Sequence, residues 1–147
     1  MFSRIEYSVT ARTTPEKLWE AFSDLNRLLN RGIYSEATWT EGKPWEKGSR
    51  LRYGVVEPRP AAITAVVTLT EPPYRITLLN HALGITAEQV VTFTKAPNGL
   101  TRVTMAVDFV GRSQELAALE VTEAIQFLTH DALDSMLERW KQGQQGH

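Results

Sequence analysis

Residues Arg4 to Ala11 alternate: Ile5, Tyr7, Val9 and Ala11 fall on one face, with Arg4, Glu6, Ser8 and Thr10 on the other. A period of two predicts a half-buried strand. Thr13-Thr14-Pro15-Glu16 then reads as a helix start. Either Thr14 caps with Pro15 at the first helical position, or Thr13 caps with Glu16 completing a capping box. Leu18, Trp19, Phe22, Leu25 and Leu29 follow at helical spacing, and Ser23-Asp24 divides the stretch into two short helices that end at Gly32. From Tyr34 to Gly111 the pattern is strand and turn. Strands are predicted over 34–41, 49–57, 62–70, 75–81, 85–94 and 101–110, with breaks at Gly42–Gly48, Pro58-Arg59-Pro60, Pro72-Pro73, Ala82-Leu83-Gly84 and Asn98-Gly99.

From Ser113 to about Lys141 the period returns to that of a helix roughly 40 Å long at 1.5 Å per residue. Ala118, Val121, Ile125, Leu128, Ala132, Leu133, Met136 and Trp140 form its apolar side, and the polar tail over 142–147 is expected to fray. The order is strand, two short helices, about six antiparallel strands, long helix. It predicts a single α+β domain over 1–147, a curved antiparallel sheet of six to seven strands wrapped on the C-terminal helix. A bent sheet laid on one helix is hard to fill, so a cavity between them is expected.

The chain has 147 residues, 42% hydrophobic and 22% charged, as in an ordinary globular domain. Its 16 basic and 17 acidic residues are well mixed, for a formal net charge of −1. Arg50, Arg52 and Arg59 form no basic stripe, which argues against nucleic-acid binding. With no cysteine, disulfides and thiolate zinc sites are excluded. The opening Met1-Phe2-Ser3-Arg4-Ile5-Glu6 enters a strand pattern directly, and no window approaches the ~20 apolar residues of a membrane helix. A cytoplasmic protein without membrane insertion is the expectation.

Several segments carry a family resemblance. The stretch Thr14-Pro15-Glu16-Lys17-Leu18-Trp19-Glu20-Ala21-Phe22-Ser23-Asp24, the strand Lys47-Gly48-Ser49-Arg50-Leu51-Arg52, the turn Glu71-Pro72-Pro73-Tyr74-Arg75-Ile76 and the hairpin Asn98-Gly99-Leu100-Thr101-Arg102-Val103-Thr104 resemble the START-like (SRPBCC) superfamily. Within it they resemble the polyketide cyclase/dehydrase branch, over roughly residues 2 to 141. The resemblance implies the helix-grip fold and a deep apolar pocket for lipids, polyketides or other hydrophobic molecules. It supplies no shared catalytic triad.

Alternation places Tyr7, Trp39, Tyr53, Asn80 and Gln89 on strand faces shared with apolar residues. Thr122 and Thr129, seven apart, lie on the apolar side of the long helix. With Met105, Ile125 and Met136 they are the candidate pocket lining, where a few polar atoms could orient a ligand. The competing reading is that they satisfy one another. The three histidines, His81, His130 and His147, do not converge in sequence, and no metal motif is present. His81 is expected on the outer sheet face unless a bulge reverses it. Glu88 and Asp108 also fall outward. Neither G-x-S-x-G nor a phosphate-binding glycine loop occurs. Trp45 either closes the pocket mouth or folds back on the hydrophobic rim. Leu116 and Phe127, toward the wet side of the helix, could mark a homodimer contact.

Three functions compete on these residues. The first is cofactor-free, metal-free binding of a small hydrophobic ligand. The second is a cyclase, aromatase or dehydratase using Tyr53 or Tyr7 for proton transfer. The third is an interaction or co-chaperone-like module with a vestigial pocket.

Overall fold

The computed structural model describes residues 4–24, 33–58, 60–111 and 119–145, with 119, 120, 144 and 145 described by backbone alone. Strand β1 (Ile5–Ala11) leads into helix α1 (Pro15–Ser23). Strands β2 (Tyr34–Glu41), β3 (Arg50–Val55), β4 (Ala61–Glu71), β5 (Arg75–Ala82), β6 (Ile85–Ala96) and β7 (Leu100–Phe109) follow, then helix α2 (Leu119–Gln145). All seven strands form one antiparallel sheet in the order β1-β7-β6-β5-β4-β3-β2. The chain meanders from β2 to β7, and β1 closes the far edge against β7 with Ile5 opposite Val107 and Ala11 opposite Thr101.

At α1, Thr14 provides the cap: its hydroxyl accepts from the Lys17 amide at 3.4 Å, with Pro15 in the first turn. The helix stops at Ser23, with Asp24 as its C-cap, where the sequence suggests a break. The second short helix expected through Leu25 and Leu29 lies outside the described residues, as does the expected start of the long helix at Ser113. Helix α2 is described as far as Gln145, four residues past Lys141. Gln142, Gln144 and Gln145 are good helix formers, and one glycine among them does not outweigh that preference.

The Ala82–Ile85 connection is a two-residue turn with both central residues left-handed, Leu83 at φ 55° and Gly84 at φ 76°. That is the hairpin geometry matched to strand twist, and only the glycine takes it without steric cost. The β6–β7 hairpin places Asn98 at φ 64° and Gly99 at φ 73°, as the Asn-Gly pair predicts.

Two apolar clusters occupy the concave face. The larger, with Leu18, Ile76, Phe93, Val103, Leu133 and Met136, lies where α1 and the C-terminal half of α2 cover the sheet. Trp19, Phe22, Trp39 and Trp45 pack around it, so this end is filled by large rings. The smaller joins Ile5, Ile85, Ala87, Val107 and Phe109 to Val121 and Ile125 near the start of α2. Between them a gap remains between the sheet and α2, walled in part by alanines.

Candidate functional site

That gap is a cavity of about 150 Å³ bounded by β2–β7 and α2. Ala61, Ala82, Ala87, Ala124 and Ala132 wall it where larger side chains would have filled it. Val55, Ile63, Ile85, Val107, Ile125 and Leu128 make up much of the rest, and none of its described lining residues is charged. At its mouth lie Pro58, Val121 and Leu83, the last 60% exposed. A second space of about 80 Å³ adjoins it and shares Tyr34, Tyr53, Gln89 and Ala132 as walls. Phe22, Trp45, Leu51, Leu78, Met105 and Arg139 complete its lining together with Ala37.

A polar relay runs along the sheet side of these spaces. The Tyr53 hydroxyl donates to Asn80 Oδ1 at 3.4 Å, Asn80 Nδ2 donates to Gln89 Oε1 at 3.0 Å, and Gln89 Nε2 donates to Met105 Sδ at 3.0 Å. These residues come from four strands, β3, β5, β6 and β7, and the cross-strand register sets Asn80 opposite Ala87, two positions along from Gln89 and on the same face. The relay ends on a thioether, a weak acceptor. Each amide has a second N–H to offer a guest. Burial pushes the Tyr53 phenol well above its usual range, and Tyr34 is raised likewise, chiefly by burial and secondarily by Tyr53. Both stay protonated at neutral pH, so Tyr53 can donate a hydrogen bond, holds its proton tightly and cannot act as a base.

Of the expected lining residues, Tyr53, Asn80, Gln89, Ile125 and Thr129 border the larger cavity, and Met105 borders the smaller. The Thr129 hydroxyl is spent on the Ile125 carbonyl oxygen at 2.8 Å, one turn back. The other four line neither space. Tyr7 lies on the edge strand against the flank of α2; its hydroxyl donates to Asp134 Oδ1 at 2.8 Å and its ring stacks on His130 at 4.0 Å. The hydrogen bond to Asp134 and partial burial raise its phenol. Trp39 turns to the loop instead, meeting Trp45 edge-on at 5.1 Å. Register shifts between Tyr34 and Glu36 and between Trp39 and Glu41 break the simple alternation of β2. Met136 fills the larger core, fully buried, where α1 closes over it. Thr122 borders neither cavity.

Trp45 folds back onto the rim, donating Nε1 to the Ser23 carbonyl oxygen at 3.0 Å. His81 faces outward and bonds Thr86 at 2.9 Å. Glu88 sits opposite Asp108 on the outer face, where Arg4 pairs with Asp108 at 3.2 Å. Phe127 is exposed on α2, while Leu116 and His147 lie outside the described residues. Among the described residues, no cluster of His, Cys, Asp and Glu could hold a metal, and no helix is long and apolar enough to cross a membrane.

Two site residues escape the sequence reading. Tyr34 is the first residue of β2, before the register shift, so alternation from Trp39 misplaces it. Arg139 is seven residues beyond Ala132, which puts it on the cavity-facing stripe of α2. A single charge on an apolar stripe was the available signal.

A curved antiparallel sheet gripping a long helix across a hollow defines the helix-grip class of ligand-cavity folds. The model of the family described as polyketide cyclase / dehydrase and lipid transport matches residues 3–142. The chain belongs to that family, the polyketide cyclase branch of the START-like (SRPBCC) superfamily. Among solved structures, Ara h 8.0201 is similar at TM-score 0.76 and 13% identity, covering 95% of this chain and 98% of that one. A protein from Thermus thermophilus aligns at TM-score 0.74 and 15% identity, over 96% and 99%. The Zhui aromatase/cyclase from Streptomyces sp. R1128 aligns at TM-score 0.73 and 18% identity, over 95% and 93%. At these identities the likeness shows the fold alone. A comparison with curated proteins finds no match.

Proposed function

We propose that this protein binds a small apolar molecule, one or two rings in size, in the hollow between β2–β7 and α2. The supporting observation is an uncharged cavity of about 150 Å³ with a neutral amide relay along one wall. An apolar cavity of roughly this volume stays dry and accepts a benzene-sized guest. A long acyl or polyketide chain would require the sheet and helix to part further. The family description includes both cyclases and lipid transport, and an apolar hollow serves either.

A cyclase or dehydratase reading gains support from Tyr34 and Tyr53, which border both spaces and are held protonated as hydrogen-bond donors. Binding needs fewer assumptions, because no carboxylate or imidazole stands beside these phenols among the described lining residues.

Indole, with nine non-hydrogen atoms, is a suitable probe. At about 0.5–0.8 kcal/mol per atom, inside the range for small ligands, its Kd falls between roughly 5 µM and 0.5 mM. Isothermal titration should give saturable one-to-one binding with a negative heat-capacity change. Absence of heat together with an unmoved melting temperature at millimolar indole would refute the proposal.

A further inference from the structure

Tyr34 opens β2 opposite Val55 of β3, and the Val56 amide donates to the Ile33 carbonyl oxygen at 2.8 Å, so the backbone carrying this ring is tied to the sheet. The ring tilts against that of Tyr53 at 6.4 Å and walls both spaces. The two phenols are not equivalent. Tyr53 spends its proton on Asn80 Oδ1, whereas the Tyr34 hydroxyl has no hydrogen-bond partner among the described residues. A polar group taken out of water without a partner is costly, and a phenylalanine would pack the same wall without that cost.

The polar wall of the hollow is rich in donors. Asn80 and Gln89 each keep a second N–H beyond those their own relay uses, and the Tyr34 hydroxyl adds a third hydrogen. None of the described residues lining the larger cavity is charged, and a carboxylate there would be buried without a countercharge. We propose that Tyr34 is the polar anchor of the hollow, donating its hydroxyl hydrogen to a neutral carbonyl oxygen on an otherwise apolar ring ligand. This deepens the binding reading above and rests on it.

Burial, then Tyr53 and Asp131, raise the Tyr34 phenol, while Arg139 lowers it. The group therefore remains a donor across the neutral range, and the charges acting on it are of opposite sign. Such a position singles out neither an anion nor a cation. A carbonyl oxygen asks for a donor and for no countercharge.

Acetophenone and α-methylstyrene test the proposal, because the pair shares one planar shape and differs only in a carbonyl oxygen against a methylene. Calorimetry should find both bound by the unaltered protein. In Tyr34→Phe the affinity for the ketone should fall about fivefold relative to that for the hydrocarbon, as the loss of one ordinary hydrogen bond implies. The carbonyl stretch of bound acetophenone should lie below its frequency in hexane, and in Tyr34→Phe it should move up towards that value. Free Tyr34→Phe lacks only an unpartnered hydroxyl and should melt no lower than the unaltered protein. Failure of the ketone alone to bind, a relative fall of less than threefold, or a bound stretch that Tyr34→Phe leaves in place would overturn the anchor and leave apolar binding standing. A lower melting temperature of the free variant would show the hydroxyl already engaged and would overturn it too. Binding of neither probe would overturn both readings. Should Tyr34→Phe fail to fold, the stretch on the unaltered protein decides: a frequency below the hexane value supports the hydrogen bond, and one at that value refutes it.

Discussion

Ala132 is the wall shared by both inner spaces, so enlarging it should fill the hollow from the helix side. Ala132→Leu keeps a strong helix former on α2 and adds three carbons. At ~0.8 kcal/mol per buried carbon the gain has a ceiling of about 2.4 kcal/mol. Ordering the new side chain takes back about 0.5–1 kcal/mol, leaving a net stabilisation of about 1–1.5 kcal/mol after some misfit. A void of about 150 Å³ corresponds to roughly 3.6 kcal/mol at 24 cal/mol per Å³. One leucine therefore recovers less than half of it, which is consistent with partial filling. Thermal unfolding followed by circular dichroism should show a melting temperature raised by about 3–6 °C. Indole affinity should fall at least tenfold, because guest and side chain compete for one volume. A variant destabilised by about 2 kcal/mol or more, as overpacking of a filled core produces, with indole bound as before, would refute the placement of the hollow.

Other consequences follow from the same geometry. Asn80→Leu leaves the Gln89 carbonyl without its donor and should cost about 1–3 kcal/mol in urea unfolding; the double variant Asn80→Leu/Gln89→Leu should cost less than the sum of the singles by about 1 kcal/mol, and strict additivity would contradict the relay. Leu83 holds a left-handed backbone, with φ 55°, while 60% exposed. Leu83→Asn should therefore stabilise the protein by about 0.5–1 kcal/mol, as asparagine tolerates that region better; a loss of stability would show that the leucine seals the mouth. Tyr34 and Tyr53 have phenols raised by burial, so their ionisation is harder in the folded state. Their contribution is whole below about pH 10, where the unfolded chain titrates, and declines as pH rises further. Denaturant midpoints should fall above about pH 10, with phenolate absorbance from these two rings appearing only on unfolding; ionisation of both in the folded protein near that pH would contradict their burial.

Much of the architecture is legible in the sequence because strand and helix periods differ and the turns are marked by Pro, Gly and Asn-Gly. The alternation through Leu51, Tyr53 and Val55 and through Ile63, Ala65 and Val67 corresponds to the observed inner face. Individual pocket residues are less legible, because alternation reports the face of the sheet and not what stands opposite. Tyr7 and Asn80 both point toward the helix side, but the edge strand carrying Tyr7 meets the flank of α2 at Asp134, while Asn80 faces the hollow. Met136 and Ile125 share an apolar stripe too. Only the closure of α1 over one end decides that the first fills a core and the second borders a cavity. Trp39 keeps the inner face that alternation gives it but packs on Trp45 and the larger core, and Tyr34 joins that face because of the register shifts in β2. Arg139 is missed by attention to apolar positions alone.

The central claim is an unfilled apolar space between the sheet and α2, and xenon reports such a space without demanding any particular ligand. A crystal of the protein under xenon pressure should show an ordered xenon atom among Ile63, Ala87, Ile125 and Leu128, lost in Ala132→Leu. Side chains packed through that volume, with no xenon there at any pressure, would contradict the account.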